Sequence, residues 1–285
     1  VPARVDFSDA AAPRAPEFGD DYHGRSGAFA QARHVFLAGN GLPGRWAGRQ
    51  RFVVLETGFG LGNNFLATWA AWRDDPARCE RLVFLSIEKH PLTRADLARA
   101  HASSPEPALA RQLVDAWPPL VPSLQTLDFD DGRVRLMLAF GDAHDWLPEL
   151  VASVDAFYLD GFAPAKNPEL WDDAVFRQVG RLAAPGATAA TWSVARAVRD
   201  GLAAAGFHAS KRPGEAGKWQ VLSAVFAPRH RVALPPGRAA VAPDARDVLI
   251  VGAGLAGAAC ARADAPGPAL PGDRGRRDAR GPGVG

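Results

Sequence analysis

The stretch FVVLETGFGLGNN, residues 52–64, constrains this chain more than any other. A near-continuous apolar run, Phe52–Leu55, meets an acid, Glu56. Glycines follow at positions 58, 60 and 62, and then a helix-like run, Phe65–Trp72. A strand that ends in an acid and turns through glycines into a helix start reads as a nucleotide-type cofactor loop. Glycines let the backbone approach a ligand, and a helix N-terminus presents unpaired N–H groups.

The same pattern recurs downstream. Arg81–Lys89 is an apolar strand carrying Glu88 at its end, Arg133–Ala139 runs to Gly141-Asp142, and Val154–Asp160 ends on its own acid. Helices are expected over Asp96–His101, Ala108–Trp117, Trp171–Leu182 and Val194–Ala205. A strand is expected over Ala187–Ser193, and Phe207–Lys211 with Gln220–Ala227 as a closing antiparallel pair. Strands alternating with helices predict an α/β fold, a mostly parallel sheet with helices on both faces, with ligands bound outside the carboxyl ends of the strands. Glu56, Glu88, Asp142 and Asp160 all fall at that edge. One of them alone is as well explained as a helix N-cap; four together point to a site. The loop Gly161–Pro168 is too rich in proline to be helical.

Domain limits follow from texture. Residues 1–19, rich in Ala, Pro and charge, are expected to be loose. Residues 20–230 are expected to form the main α/β domain, entered through Asp20–Leu37 and a turn cluster at Gly39–Pro43. Residues 231–245 read as a Pro/Ala linker. Residues 246–260 start a second strand–loop–helix in which Gly252, Gly254 and Gly257 match G-x-G-x-x-G. The last stretch, 261–285, holds 6 Gly, 4 Pro and 5 Arg and no aromatic residue. It offers neither a second strand nor the acid a dinucleotide ribose needs, which predicts disorder. Its abrupt onset also fits a shifted reading frame.

The first glycine loop differs from a dinucleotide fingerprint. Counted from Gly58 or Gly60, the third glycine falls on Asn63 or Phe65, and Glu56 would repel a pyrophosphate. An acid there suits a cation. S-adenosylmethionine carries an ammonium and a sulfonium and no phosphate. In that reading Glu56, Gly58, Phe59, Gly60, Gly62 and Asn63 shape the cofactor loop, Glu88 accepts the ribose hydroxyls, and Asp142 accepts from the adenine amine. The bland alternative is a glycine turn that only packs a helix on a strand. The net charge of +2 permits an RNA partner without arguing for one. Two cysteines, Cys79 and Cys260, lie far apart without metal-ligand spacing, which predicts a reducing cytoplasm and no metal. The polar N-terminus predicts no signal peptide, and no apolar run nears the ~20 residues of a membrane span. A cytoplasmic monomer is expected.

Several stretches carry a resemblance: DDY, RHVFLAGNGLPGRW, ETGFGLGNNF, SIEKHPL, GDAHDWL, YLDGFAPAKNPELW and RLAAPGATAATWS, with a restart at DVLIVGAGLAGAACA. Over roughly residues 17–227 the chain resembles the bifunctional tRNA 5-methylaminomethyl-2-thiouridine biosynthesis family (MnmC). The resemblance implies a class I (Rossmann-like) methyltransferase domain. It would use S-adenosylmethionine to methylate the aminomethyl group of a tRNA wobble uridine. It also implies a second, FAD-dependent oxidoreductase half, which here stops after its first loop, so FAD is not expected to bind. Gln31 stands where the family pattern leads one to expect an acid.

The resemblance places the substrate amine at Asp160. An alkyl amine has a pKa of about 10.4, so a carboxylate of pKa about 4 is poorly matched as its base. Asp160 is instead expected to accept an N–H bond and aim the lone pair, with the sulfonium charge aiding deprotonation and in-line proximity supplying the rest. The alternative is that Asp160 only caps its loop. Phe162 and Pro164 form a wall that stacks a base or simply packs the loop. Lys166, Arg196, Arg199, Lys211, Arg212 and Lys218 are candidates for tRNA phosphates, or a solvated face. Trp171 and Trp192 are ambiguous between core and site. Other readings kept open are a methyltransferase acting on another amine, a non-catalytic RNA-binding domain, and a flavoprotein resting only on Gly252–Gly257.

Overall fold

Phe52, Val53, Val54 and Leu55 are all buried. Successive side chains of a strand point to opposite faces, so a strand buried at every position needs a sheet covered on both sides. That is the architecture of the computed structural model, which describes residues 1–9, 12–24, 27–214 and 220–229. Lys218, the linker, the second glycine loop with Gly252, Gly254 and Gly257, and the tail 261–285 lie outside the described residues.

In chain order the elements are a small ribbon of β1 (Arg14–Ala15) and β2 (Asp20–Asp21), then α1 (Ala28–Gln31), which continues as a π-helical stretch to Leu37. β3 (Arg51–Thr57), α2 (Asn63–Asp74), β4 (Arg81–Glu88), α3 (Arg94–Ala100) and α4 (Pro107–Ala116) follow. Next come β5 (Leu124–Phe129), β6 (Val134–Phe140), α5 (Ala143–Glu149), β7 (Val154–Leu159) and α6 (Asp173–Leu182). β8 (Ala183–Thr191), α7 (Arg196–Ala204), β9 (Phe207–Pro213) and β10 (Gln220–Phe226) complete the described chain. Eight strands form one sheet in the order β5-β6-β4-β3-β7-β8-β10-β9. The five inner strands from β6 to β8 are parallel, and antiparallel strands close both sides. The chain leaves β3 to one side for β4 and returns to the other for β7, so the crevice at the carboxyl ends of β3 and β7 is the switch point where ligands bind.

Alternation along β3 splits the core. Phe52 and Val54 join Phe36, Trp46, Phe65, Trp69 and Tyr158 beneath α1 and α2. Val53 and Leu55 join Leu147, Phe157, Phe176 and Leu202 beneath α5, α6 and α7.

Four expectations need correction. The described residues before 20 are tied down: Ala3 N–H bonds Pro91 O, Asp6 bridges Arg14, and the Arg99 guanidinium lies 4.6 Å from the Phe7 ring centre. The strand β5 was not anticipated, because its exposed–half-buried alternation carries little apolar signal. The helix α5 was missed because Pro148 sits inside it; Asp142 caps it by accepting from His144 N–H. Finally, β8 begins at Ala183 rather than at the expected Ala187, and includes Pro185 and Gly186. The register shift between Val154 and Ala156 of its partner makes room for them in a bulge.

Candidate active site

A cavity of about 670 Å³ opens at the carboxyl ends of β3, β4, β6 and β7. Its floor is the glycine loop. Gly58 holds φ at 89°, a left-handed conformation that favours glycine, and it lets the loop lie against the end of β7 beside Asp160 and Gly161. Gly62 holds φ at 76°, and a β-carbon there would meet the Phe59 ring at 2.8 Å. That ring stacks on Trp117, with centres 5.5 Å apart. Gly58, Phe59, Gly60 and Asn63 line the cavity; Gly62 does not.

The acids divide into three that face the cavity and one that does not. Glu88 lines it and braces the loop: Oε2 accepts from Gly60 N–H at 2.8 Å and Oε1 from His90 N–H at 2.7 Å. Each oxygen keeps a lone pair for a ribose hydroxyl. Asp142 lines it as well, ion-paired to Lys89 Nζ at 2.8 Å. Burial alone would raise its carboxyl, but Lys89 and the His144 backbone and ring donors outweigh this and hold it at about 2. Asp160 follows β7 and lines the cavity. Its Oδ1 accepts from Gly161 N–H at 2.8 Å and its Oδ2 from Asn64 Nδ2 at 2.7 Å. Burial pushes its carboxyl up to about 6, against the opposing donors Gly161, Asn64 and Trp192.

Glu56 corrects the sequence reading. It is fully buried below the cavity rather than lining it. Its Oε2 accepts from Ser86 Oγ at 2.7 Å and its Oε1 from Asn64 Nδ2 at 2.9 Å. Burial raises its carboxyl well above the ordinary range; the Ser86 bond opposes this and the Asp160 charge adds to it. Glu56 thus anchors Asn64 from below and does not line the cavity. Asn64 O in turn accepts from Thr68 Oγ1 at 2.7 Å, and that hydroxyl meets the Tyr158 hydroxyl at 3.1 Å. Asn64 was missed because it is the second of two asparagines at the start of α2, and nothing in the pair distinguishes the cavity-floor bridge.

The N-terminal segment roofs the cavity, and this too was missed. Phe18 stacks on Phe162 with ring centres 4.4 Å apart, and Tyr22 meets the same ring edge-on at 5.4 Å. Lys166 does not stand free for phosphate. Its Nζ bonds Gly19 O at 2.6 Å and Asp20 Oδ1 at 2.9 Å, while Asp20 Oδ2 accepts from Ala163 N–H at 3.1 Å. Lys166 therefore clasps the roof to the loop after β7. Pro164 and Lys166 do not line the cavity, whereas Phe162 does. Gln31 lines it and accepts from Gly24 N–H at 2.9 Å, a role open to a neutral side chain. Trp192 faces the cavity; Trp171 is buried behind it and bonds Phe162 O.

Of the other basic candidates, Arg196 pairs with Asp200 and Arg212 bonds Ala38 O and Ser223 Oγ. Lys211 is exposed on β9, and Arg199 Nε is buried without a partner. At the mouth, His144 Nδ1 contacts Asp142 at 3.1 Å and Nε2 contacts Asp172 at 2.8 Å, an arrangement only the imidazolium satisfies at both nitrogens. Among the described residues no His, Cys, Asp and Glu cluster could hold a metal ion, and no helix is long and apolar enough to cross a membrane.

The donor set fits S-adenosylmethionine. Glu88, Asp142 and Asp160 face the cavity at the strand ends, and Lys89, a cation that also lines it, is already bound to Asp142. An anionic pyrophosphate would meet these acids; a cation with ribose hydroxyls would satisfy them.

Residues 104–227 match the S-adenosyl-L-methionine-dependent methyltransferase family model. The chain is 63% identical over 263 residues to the tRNA 5-methylaminomethyl-2-thiouridine biosynthesis bifunctional protein MnmC of Methylibium petroleiphilum, covering 92% of this chain and 40% of that protein. It is 56% identical over 262 residues to the MnmC of Aromatoleum aromaticum, with 91% and 40% covered. The chain thus spans about 40% of the length of the curated relatives it matches. Its fold matches the crystal structure of MNMC2 from Aquifex aeolicus with a TM-score of 0.63 at 22% identity, over 76% of this chain and 67% of that one. The fold is that of a Rossmann-like methyltransferase.

Proposed function

Given that the chain belongs to the MnmC family over the region it shares with these relatives, we propose that it methylates the amine of 5-aminomethyl-2-thiouridine at the wobble position of tRNA. S-adenosylmethionine, when bound, supplies the electrophilic methyl. The observation that carries the reading is the placement of Asp160. It ends β7 beside the glycine loop, faces the cavity, and opens the GFAPAKNP loop whose Phe162 walls the same space.

The residues of this chain divide the task. Glu88 and Asp142 offer acceptors for the cofactor's ribose and adenine, and Gly58 and Gly60 let the backbone close on it. Asp160 accepts an N–H of the substrate amine. Its carboxyl at about 6 makes it a better proton acceptor than the pKa of about 4 assumed from sequence, because a catalytic base works best when its pKa nears the working pH. Phe18, Tyr22 and Phe162 exclude water above it, which strengthens the electrostatics inside. The domain assignment follows: residues 20–230 form the transferase, with 1–19 as part of its roof. A purely RNA-binding role would leave the carboxylates of Glu88, Asp142 and Asp160, gathered at one cavity, unexplained.

The test is mass spectrometry of nucleosides from tRNA carrying 5-aminomethyl-2-thiouridine after incubation with the protein and S-adenosylmethionine. The expected result is loss of that nucleoside and gain of its monomethylated form. Unchanged nucleosides in the presence of bound cofactor would refute the assignment.

A further inference from the structure

The side-chain amide of Asn64 is held from below and open from above. Both hydrogens of Nδ2 are used, one on Glu56 Oε1 and one on Asp160 Oδ2. A flipped amide would press its oxygen against two carboxylates, so the orientation is fixed. Among the described residues no protein group donates to Asn64 Oδ1, and that atom is not among the buried unpartnered ones, so it opens into the cavity. We propose that Asn64 Oδ1 and the Asp160 carboxylate together accept the two N–H bonds of a primary amine, making Asn64 a specificity-determining residue that stops transfer after one methyl. This rests on the methyltransferase reading above.

The geometry suits a primary amine. In a planar amide the oxygen and nitrogen are about 2.3 Å apart, and Asp160 Oδ2 lies 2.7 Å from Nδ2. The two acceptor oxygens are therefore at most about 5 Å apart. A tetrahedral nitrogen making two N–H bonds of about 2.9 Å spans acceptors about 4.7 Å apart. With both N–H groups engaged, the single lone pair has one direction left. Methyl transfer closes a nitrogen–carbon bond with that pair, leaves the carbon–sulfur pair on sulfur, and releases one proton, which Asp160 accepts. The product is a secondary amine with one N–H. A second transfer would have to set its methyl against one of the two oxygens and leave that oxygen unpaired. The loss of one such bond slows the second step by about ten- to hundredfold.

The test compares the wild-type chain with Asn64→Ala, using tRNA carrying either 5-aminomethyl- or 5-methylaminomethyl-2-thiouridine. Nucleoside mass spectrometry reads first and second methylation, and calorimetry with S-adenosylmethionine checks the site. Asn64→Ala should slow the first transfer by about tenfold and raise the ratio of second to first transfer by a similar factor, with a dimethylated nucleoside appearing. A merely structural role would slow both transfers alike, so an unchanged ratio, with wild-type monomethylation intact, overturns the inference alone. If the wild-type chain methylates neither tRNA, the underlying reading falls and the inference with it. Should Asn64→Ala lose cofactor binding, Asn64→Ser carries the same comparison.

Discussion

Replacing Asp160 with asparagine probes the site through the folding equilibrium as well as through turnover. The carboxyl stands at about 6 against an ordinary 3.8. Between those values the native state binds more protons than the unfolded one. Stability from this group is therefore fully present below pH 3.8 and is lost as pH rises through 6. At 1.36 kcal/mol per pKa unit the loss is about 3 kcal/mol, and about 2 kcal/mol after allowing for partial contact with solvent in the cavity. Asparagine has no such titration, but it carries its own cost. Gly161 N–H and Asn64 Nδ2 donate to the two carboxylate oxygens. One of these donors must then face the new amide NH2, at about 1–3 kcal/mol. Asp160→Asn should accordingly be less stable than wild type at pH 4 by about that amount and close to it at pH 7.5. Urea denaturation of both proteins at pH 4, 5, 6 and 7.5 reads the difference directly. Stability curves that stay parallel across that range would show that Asp160 is not held protonated by the fold. The same variant should lose at least about 100-fold in kcat/KM, since it removes the charged acceptor at the reacting nitrogen.

Other expectations concern the rim. Glu88→Gln can accept from only one of Gly60 N–H and His90 N–H with its single oxygen, and it loses the charge facing the ribose. Calorimetry should show S-adenosylmethionine binding weakened about tenfold, with unaltered affinity counting against a ribose contact. Lys166→Ala opens the clasp on Gly19 and Asp20. Because the pair is partly exposed, cofactor affinity should fall less than about fivefold, while stopped-flow measurement should find dissociation accelerated; an unchanged off-rate would remove Lys166 from any role in closure. His144 is raised chiefly by Asp172 and then by Asp142, so its stabilisation is complete below its ordinary pKa and is lost as pH rises through the folded one. His144→Asn should cost up to about 1 kcal/mol at pH 5.5 and much less at pH 9, and thermal melts that fall equally at both pH values would contradict the imidazolium assignment.

How far the sequence carried depended on the kind of signal. Strands buried on both faces are visible as apolar runs, so β3, β4, β6 and β7 and their terminal acids were legible, and with them the parallel sheet and the position of the site. Glu88, Asp142 and Asp160 needed only their place at a strand end. Glu56 shared that place but not the level. Glu56, Glu88 and Asp160 lie on one face of the sheet, but Glu56 stands opposite Ser86 and Tyr158 inside the ladder, two residues short of the level of Glu88 and Asp160, and is buried there. Asn64 and Phe18 acquire their roles through partners 96 and 144 positions away in sequence, and no local pattern encodes such a meeting. Lys166 looked like a phosphate contact because a lysine in a loop advertises charge; its partner Asp20 lies 146 positions away, in the segment by which the chain enters the domain.

The roof has a consequence for the working cycle. Among the described residues, the ladder pairing of residues 14–21 is only with each other and with Asp6, outside the eight-stranded sheet. They can lift away without breaking any of its ladder. Exchange of spent for fresh cofactor is then decoupled from global stability. What holds the roof is the Lys166 clasp, the Asp20 bond to Ala163 N–H and the packing of Phe18 and Tyr22 on Phe162, so variants at these positions should change how long a ligand stays trapped more than they change the melting temperature.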